Sequence, residues 1–201
     1  MLDPATLLRH YLLFFILPLW MAAGLTDYVL HKRTHIEDNA GTKESILHAL
    51  QLGEAGIPVM LALLLEINAL IFLVMVLAFI LHELTSLWDV SYASAHRDVS
   101  PLEQHVHSFM EVLPLMALSF VTILYWNQFV ALIGLGPEPP RFELRPKSNP
   151  LSTGYLVVLF LCIMLFVVLP YAEELWRCLR ASRSRHIRDN TKQTFRPSQA
   201  A

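Results

Sequence analysis

Histidines and carboxylates recur together through the first half of this chain at spacings that a helix turns into shared faces. Asp27, His31 and His35 stand at i, i+4 and i+8. Each step of four residues overshoots a helical turn by only about 40°, so the three side chains form one stripe. Glu103, His107 and Glu111 repeat that spacing, Glu44 and His48 are a further i, i+4 pair, and His82 shares a helix face with Asp89 seven residues on. Four segments thus each present an imidazole beside a carboxylate, as a dimetal site between facing helices requires. The candidate metal ligands are Asp27, His31, His35, His48, His82, His96, His105, His107 and Glu111. Glu54 lies six residues beyond His48 in an apolar run. A carboxylate at that depth is kept for function, and Glu54 is assigned a catalytic part as proton relay, ligand or support for a ligand.

Plainer roles compete for several of these residues. A single histidine at a helix end near lipid headgroups is more often interfacial than a ligand. Ser100-Pro101-Leu102-Glu103 reads as N-cap, N1 proline and N3 glutamate, so Glu103 has a capping-box role open to it. His105 and His107 point about 200° apart on a helix, and both reach one centre only if the first turn is irregular. Glu44 beside Lys43, and Glu37 near Lys32 or Arg33, have solvated ion pairs open to them. It is the coincidence that argues for a site: seven histidines between His31 and His107, all next to apolar boundaries.

The elements that must hold these side chains are membrane helices. Hydrophobic residues make up 55% of the 201, charged residues 16%, and the mean hydropathy is +0.47; a soluble domain carries about 25% charged residues. Apolar runs cover Tyr11–Leu30, Ile46–Trp88, Phe109–Leu135 and Leu151–Leu169, with Pro170 expected to end or kink the last. The first run contains Pro18 and Trp20 and leads straight into Asp27 and His31 without a clear small-residue cleavage site, so it reads as a mature span rather than a signal peptide. The forty-three residues from Ile46 to Trp88 would extend roughly 65 Å as one helix, twice the hydrocarbon thickness. They form either one span over Pro58–Leu81 or a hairpin that turns at Glu66-Ile67-Asn68.

Two arguments favour the hairpin. It puts eleven Lys and Arg residues on one side of the membrane and four on the other, against nine and six for the single span, and basic loops stay cytosolic. It also puts all seven of those histidines on the cytosolic side. The expected fold is therefore an all-α integral membrane protein, a bundle of about five transmembrane helices (four as the alternative) with a polar, His-rich cap on the cytosolic side. Residues 1–181 form one transmembrane domain, and residues 182–201 a basic, flexible cytosolic tail.

Donor type narrows the metal. Imidazole with carboxylate suits iron, zinc or copper, whereas Mg and Ca want oxygen ligands only. Cys162 and Cys178 are not among the candidates, and two isolated cysteines are no disulfide framework. The layout resembles the membrane-bound histidine-rich diiron class, the fatty-acid desaturases and hydroxylases, which gather about eight histidines at the cytosolic ends of membrane helices. His31-x-x-x-His35 is similar to the first histidine box of that class. Glu103-Gln104-His105-Val106-His107 only approximates a His-x-x-His-His box, so Asp27, Glu54 and Glu111 would stand in for histidines. The resemblance implies two iron ions, dioxygen, an external electron donor, and hydroxylation or desaturation of a lipid or other hydrophobic substrate drawn from the membrane.

Three other functions fit parts of the pattern. Haem b wants axial histidines inside the hydrocarbon and small residues around the macrocycle; here there are seven glycines and the histidines sit at span ends. A transporter wants polar ligands at the midplane, where only Glu54 and Glu66 qualify, and a zinc hydrolase needs fewer histidines than are present. A non-enzymatic membrane subunit would use the histidines against a partner or a second copy. The formal net charge of −2 argues against nucleic acid as a partner.

Overall fold

The computed structural model describes residues 2–194. Among them the regular structure is helical, apart from one isolated bridge between Leu65 and Pro146. Five helices are long and apolar enough to cross a membrane: α1 (Pro4–Arg33), α2 (Gly41–Leu64), α3 (Ala69–His96), α4 (Pro101–Leu124) and the last, over Thr153–Arg188. A short α5 (Trp126–Leu132) follows α4, so the last long helix is α6, and it continues to Thr194. The long apolar stretch does turn where Glu66, Ile67 and Asn68 stand, and the single span from Pro58 to Leu81 is not formed. Asn68 makes the restart: its side chain accepts from the N–H groups of Leu70 and Ile71, as an N-cap must.

One other boundary differs from the sequence reading. The run to Leu135 is broken at Tyr125, which leaves the helical region before α5 begins. The last helix runs on through residues 182–194, and residues 195–201 lie outside the described part.

Pro170 neither ends nor visibly interrupts its helix. The chain widens into a π turn over Met164–Val168 immediately before it, with the Leu169 N–H reaching back to Met164 O. The same happens at Leu12–Ile16 before Pro18, where the Leu17 N–H reaches Leu12 O. A proline cannot donate to the carbonyl four residues back and its ring crowds that carbonyl; a single π turn absorbs the conflict while keeping the helix continuous. The two segments, Leu12-Leu13-Phe14-Phe15-Ile16-Leu17-Pro18 and Met164-Leu165-Phe166-Val167-Val168-Leu169-Pro170, are alike in sequence as well as in structure.

Helix α2 packs against α3 and α6, and α1 against α4. At one end the Pro-rich loop 136–150 folds over the α2–α3 turn, above an apolar core of Ile67, Ile71, Phe72, Met75 and Val121. At the other end the polar side chains are buried.

Candidate metal centre

Each of the five long helices sends acid or imidazole groups into one buried volume. From α1 come Asp27 and His31, from α2 Glu44 and His48, from α3 Asp89, from α4 Glu103 and His107, and from α6 Glu174, all buried. Arg97, in the α3–α4 corner, joins them. His31 lies at the centre. Its Nε2 is 3.1 Å from Glu103 Oε1, 3.5 Å from Asp27 Oδ1 and 3.9 Å from Glu44 Oε1, and its Nδ1 is 3.2 Å from Glu174 Oε2. The ring of His48 stacks on that of His31, centroids 4.6 Å apart and 7° from parallel. His48 Nδ1 is 2.8 Å from Glu174 Oε1 and its Nε2 3.2 Å from Asp89 Oδ2, while His107 Nε2 is 2.9 Å from Asp27 Oδ1. Two groups therefore have ligand atoms close enough together to hold an ion, Asp27–His31–Glu103–His107 and His31–Glu44–His48, and they share His31.

The electrostatics demand cations. A deprotonated ring nitrogen and a carboxylate oxygen about 3 Å apart repel unless a proton or a metal ion lies between them. Five buried carboxylates against one guanidinium leave four formal negative charges. Uncompensated charge in such a place is strongly destabilising. Arg97 neutralises part of it, bonding to Glu103 and, at 2.5 Å, to Glu44. Burial opposes the charged guanidinium, but the bonds to Glu103 and Glu44 more than reverse this and hold it protonated. Tyr171 closes the α1–α6 side, its hydroxyl donating to Gly24 O at 3.2 Å with Asp27 Oδ2 3.4 Å away. Asp89 Oδ1 is buried without a hydrogen-bond partner among the described residues, and His48 Nε2 has only its 3.2 Å contact with Asp89 Oδ2. A donor set of this kind could hold metal ions of the type that imidazole and carboxylate ligands suit.

Of the residues named from the sequence, Asp27, His31, His48 and His107 meet here. His82, Glu54 and Glu111 do not reach the cluster and form a second polar layer deeper in the bundle. There Thr85 donates to Glu54 at 2.8 Å and Ser86 to Glu111 at 2.7 Å, beside the buried His82. His35, His96 and His105 lie outside both layers. Helix α1 stops at Arg33, and His35 takes a left-handed backbone (φ 52°) that turns its ring to solvent with 71% of the side chain exposed. The stripe from Asp27 therefore ends one residue pair early. His35 groups instead with Glu37 and Asp38 at the surface. His96 bonds back to Tyr92 O, and the exposed His105 packs edge-on to Phe109. No irregular first turn of α4 brings His105 round beside His107.

Three cluster members, Glu103, Glu44 and Glu174, had other readings in the sequence or none. Ser100 does cap α4, accepting from the Glu103 N–H at 3.2 Å, but the Glu103 carboxylate turns to Arg97 and His31. Glu44 pairs with Arg97, not Lys43, whose ammonium lies over the Trp88 and Tyr92 rings. Glu37 pairs with Arg177. Glu174 was missed because the last span was taken to end at Pro170. A signal was available: Glu173-Glu174 follows a long apolar helix with only Tyr171-Ala172 between, the same pattern that marked Glu54.

Fold and site together define a class, an all-helical bundle of five helices of membrane-spanning length around a buried histidine–carboxylate cluster. No protein-family model, no curated protein and no solved structure matches the chain.

Proposed function

We propose that this chain is an integral membrane protein carrying a dimetal centre, with two irons as the leading choice, and that it oxidises a hydrophobic substrate with dioxygen. The observation that carries the metal reading is the buried charge balance. Five carboxylates and Arg97 leave four negatives; two divalent ions with neutral imidazoles cancel them, whereas a proton on each of His31, His48 and His107 leaves one negative behind. His31, His48 and His107 would hold the metals together with Asp27, Glu44, Asp89, Glu103 and Glu174. When bound, a diiron pair supplies reduction of dioxygen and oxidation of a C–H bond.

The chain's own residues have definable parts. The two oxygens of Glu174 face His31 and His48 separately, which suits a bridging carboxylate. Arg97 fixes the orientations of Glu44 and Glu103. Asp27 Oδ1 faces His107, with the Tyr171 hydroxyl 3.4 Å from its other oxygen. The basic residues, eleven against four in the hairpin topology, support a cytosolic position for the cluster, where an external electron donor would reach it.

A second reading has its own support, since every histidine in the cluster already faces a carboxylate. It is a proton-shared ion-pair network with no metal, suited to a non-enzymatic subunit. Metal analysis of the detergent-purified protein separates the two. We expect about two irons per chain, as carboxylate-bridged helical sites hold, with loss of most of the metal in His31→Ala and in Glu174→Ala and none in His35→Ala or His105→Ala. A metal-free protein ends the diiron proposal, and full occupancy in His31→Ala ends the ligand assignment.

A further inference from the structure

On the far side of the second polar layer from the metal centre lies a cavity of about 470 Å³, within the range of roughly 300–1,000 Å³ typical of small-molecule sites. Its walls are apolar, with Leu13, Ile16, Val59, Met75, Leu118 and Val121 among them. Pro58 of α2 and Pro114 of α4, the prolines inside those helices, also line it. An interior proline pushes its helix away from straight packing, which gives a physical origin for the space.

The two ends are polar, and they differ. At one end stand Arg9, Lys147 and Glu66. Glu66 is already engaged, accepting from the N–H and hydroxyl of Ser148 at 2.6 and 2.7 Å. Burial pushes the Lys147 ammonium down from its usual range, and the Arg9 charge adds to this against the pull of Glu66. Arg9 and Lys147 outnumber Glu66, beside which Arg145 also stands, so this end is net positive and suits an anion. At the other end are Glu54 and His82. His82 is buried, with the Gln51 and Met110 backbones beside its ring, and Glu54 Oε2 has no hydrogen-bond partner among the described residues. An unpaired buried polar atom in a native fold calls for an explanation, and a hydrocarbon terminus placed against it would not supply one. From Glu54 to the end of α2 at Leu64 is about 15 Å of helix, with Glu66 in the turn just beyond. One lipid chain spans about 15 Å, half the hydrocarbon thickness.

We infer that the cavity binds a single-chain amphiphile polar at both ends, an ω-hydroxy fatty acid, with its carboxylate at Arg9 and Lys147 and its hydroxyl between Glu54 and His82. The positive charge at the outer end selects an anionic head, the length selects one long chain, and the unpaired Glu54 oxygen at the inner end selects a hydroxyl that donates to it. The binding claim stands apart from the metal reading, because it needs neither metal nor turnover.

Trp20 lines the cavity, while Trp88, Trp126 and Trp176 are exposed on the outside. A Trp88→Phe/Trp126→Phe/Trp176→Phe protein therefore reports from inside the site. A fatty acid brominated near its chain end should quench Trp20 saturably, and ω-hydroxypalmitate should displace it at about tenfold lower concentration than palmitate, the equivalent of about 1.4 kcal/mol. Arg9→Ala/Lys147→Ala should weaken both acids about tenfold or more. Glu54→Gln and His82→Ala should remove the preference for the hydroxyl while leaving palmitate binding in place, which also shows that these variants are folded. Equal displacement by palmitate and its ω-hydroxy form overturns the inner-end assignment. Displacement by uncharged hexadecanol as strong as by the acids overturns the outer-end one. Quenching that never saturates, or that brominated phosphatidylcholine in the micelle matches, overturns the site.

Discussion

The two ends of the bundle are closed by opposite means. At the loop end the chain relies on backbone pairing. Glu66 N–H bonds to Arg145 O at 2.8 Å, Leu70 N–H to Arg141 O at 3.1 Å and Lys147 N–H to Leu64 O at 3.1 Å, over the apolar core around Phe72. At the other end the helices meet through charged side chains, with Glu44, Glu103, Glu174 and Asp27 fully buried. Backbone pairs and apolar contacts persist whatever ion is bound, whereas clustered carboxylates hold together only while cations sit among them. The loop end is therefore built to be constant, and the cluster end to depend on the cations, Arg97 and protons included, that balance its carboxylates.

The largest expected effect breaks the cluster end. Arg97→Ala leaves Glu44 and Glu103 facing each other without a cation, and removing one partner of a buried pair costs on the order of 3–5 kcal/mol. Thermal unfolding in detergent should show this loss, and added Fe(II) should restore part of it if ions substitute for the guanidinium. At the loop end a side-chain contribution comes from the cap on α3. Asn68→Ala removes two accepted N–H bonds and a donated one to Glu143 O at 2.7 Å, and a lost N-cap costs about 1 kcal/mol. An Asn68→Ala loss as large as that of Arg97→Ala would remove the contrast between the ends.

How far this division was legible follows from what each end is made of. The hairpin could be read because membrane thickness limits helix length and because Glu66-Ile67-Asn68 sits midway along an apolar run twice that length. The i, i+4 pairs Asp27–His31 and Glu103–His107 were legible because a helix converts that spacing into a shared face, and both keep it. His35 stands apart from the Asp27–His31 stripe for a local reason that periodicity does not encode: α1 ends two residues before it, and the chain reverses through its left-handed backbone. Glu174 failed because a proline after an apolar run was taken as an end. A π turn lets the helix continue past Pro170 and carry the carboxylate back beside His31 and His48. Arg97 was counted as a loop charge, since nothing local to it shows that α2 and α4 bring two acids to the same corner.

The smallest effect sharpens the comparison, because it isolates a charge at the loop end that is not buried. Glu66 accepts from the Ser148 backbone N–H and hydroxyl, and these bonds hold its carboxyl below the ordinary value of 4.5, with Lys147 and Arg145 adding to them. A depressed folded-state value means that the group stabilises the fold fully above pH 4.5 and that this contribution drains away as pH falls toward the lower folded value. Glu66→Gln removes the titration while keeping an acceptor for Ser148. The melting-temperature gap between wild type and Glu66→Gln should be constant at neutral pH and narrow between about pH 5 and about pH 3. Carboxylates elsewhere titrate in both proteins and cancel in the difference. A gap that stays flat across that interval would mean that the Ser148 bonds do not favour the ionised form, and that the loop is held over the α2–α3 turn by backbone pairing alone.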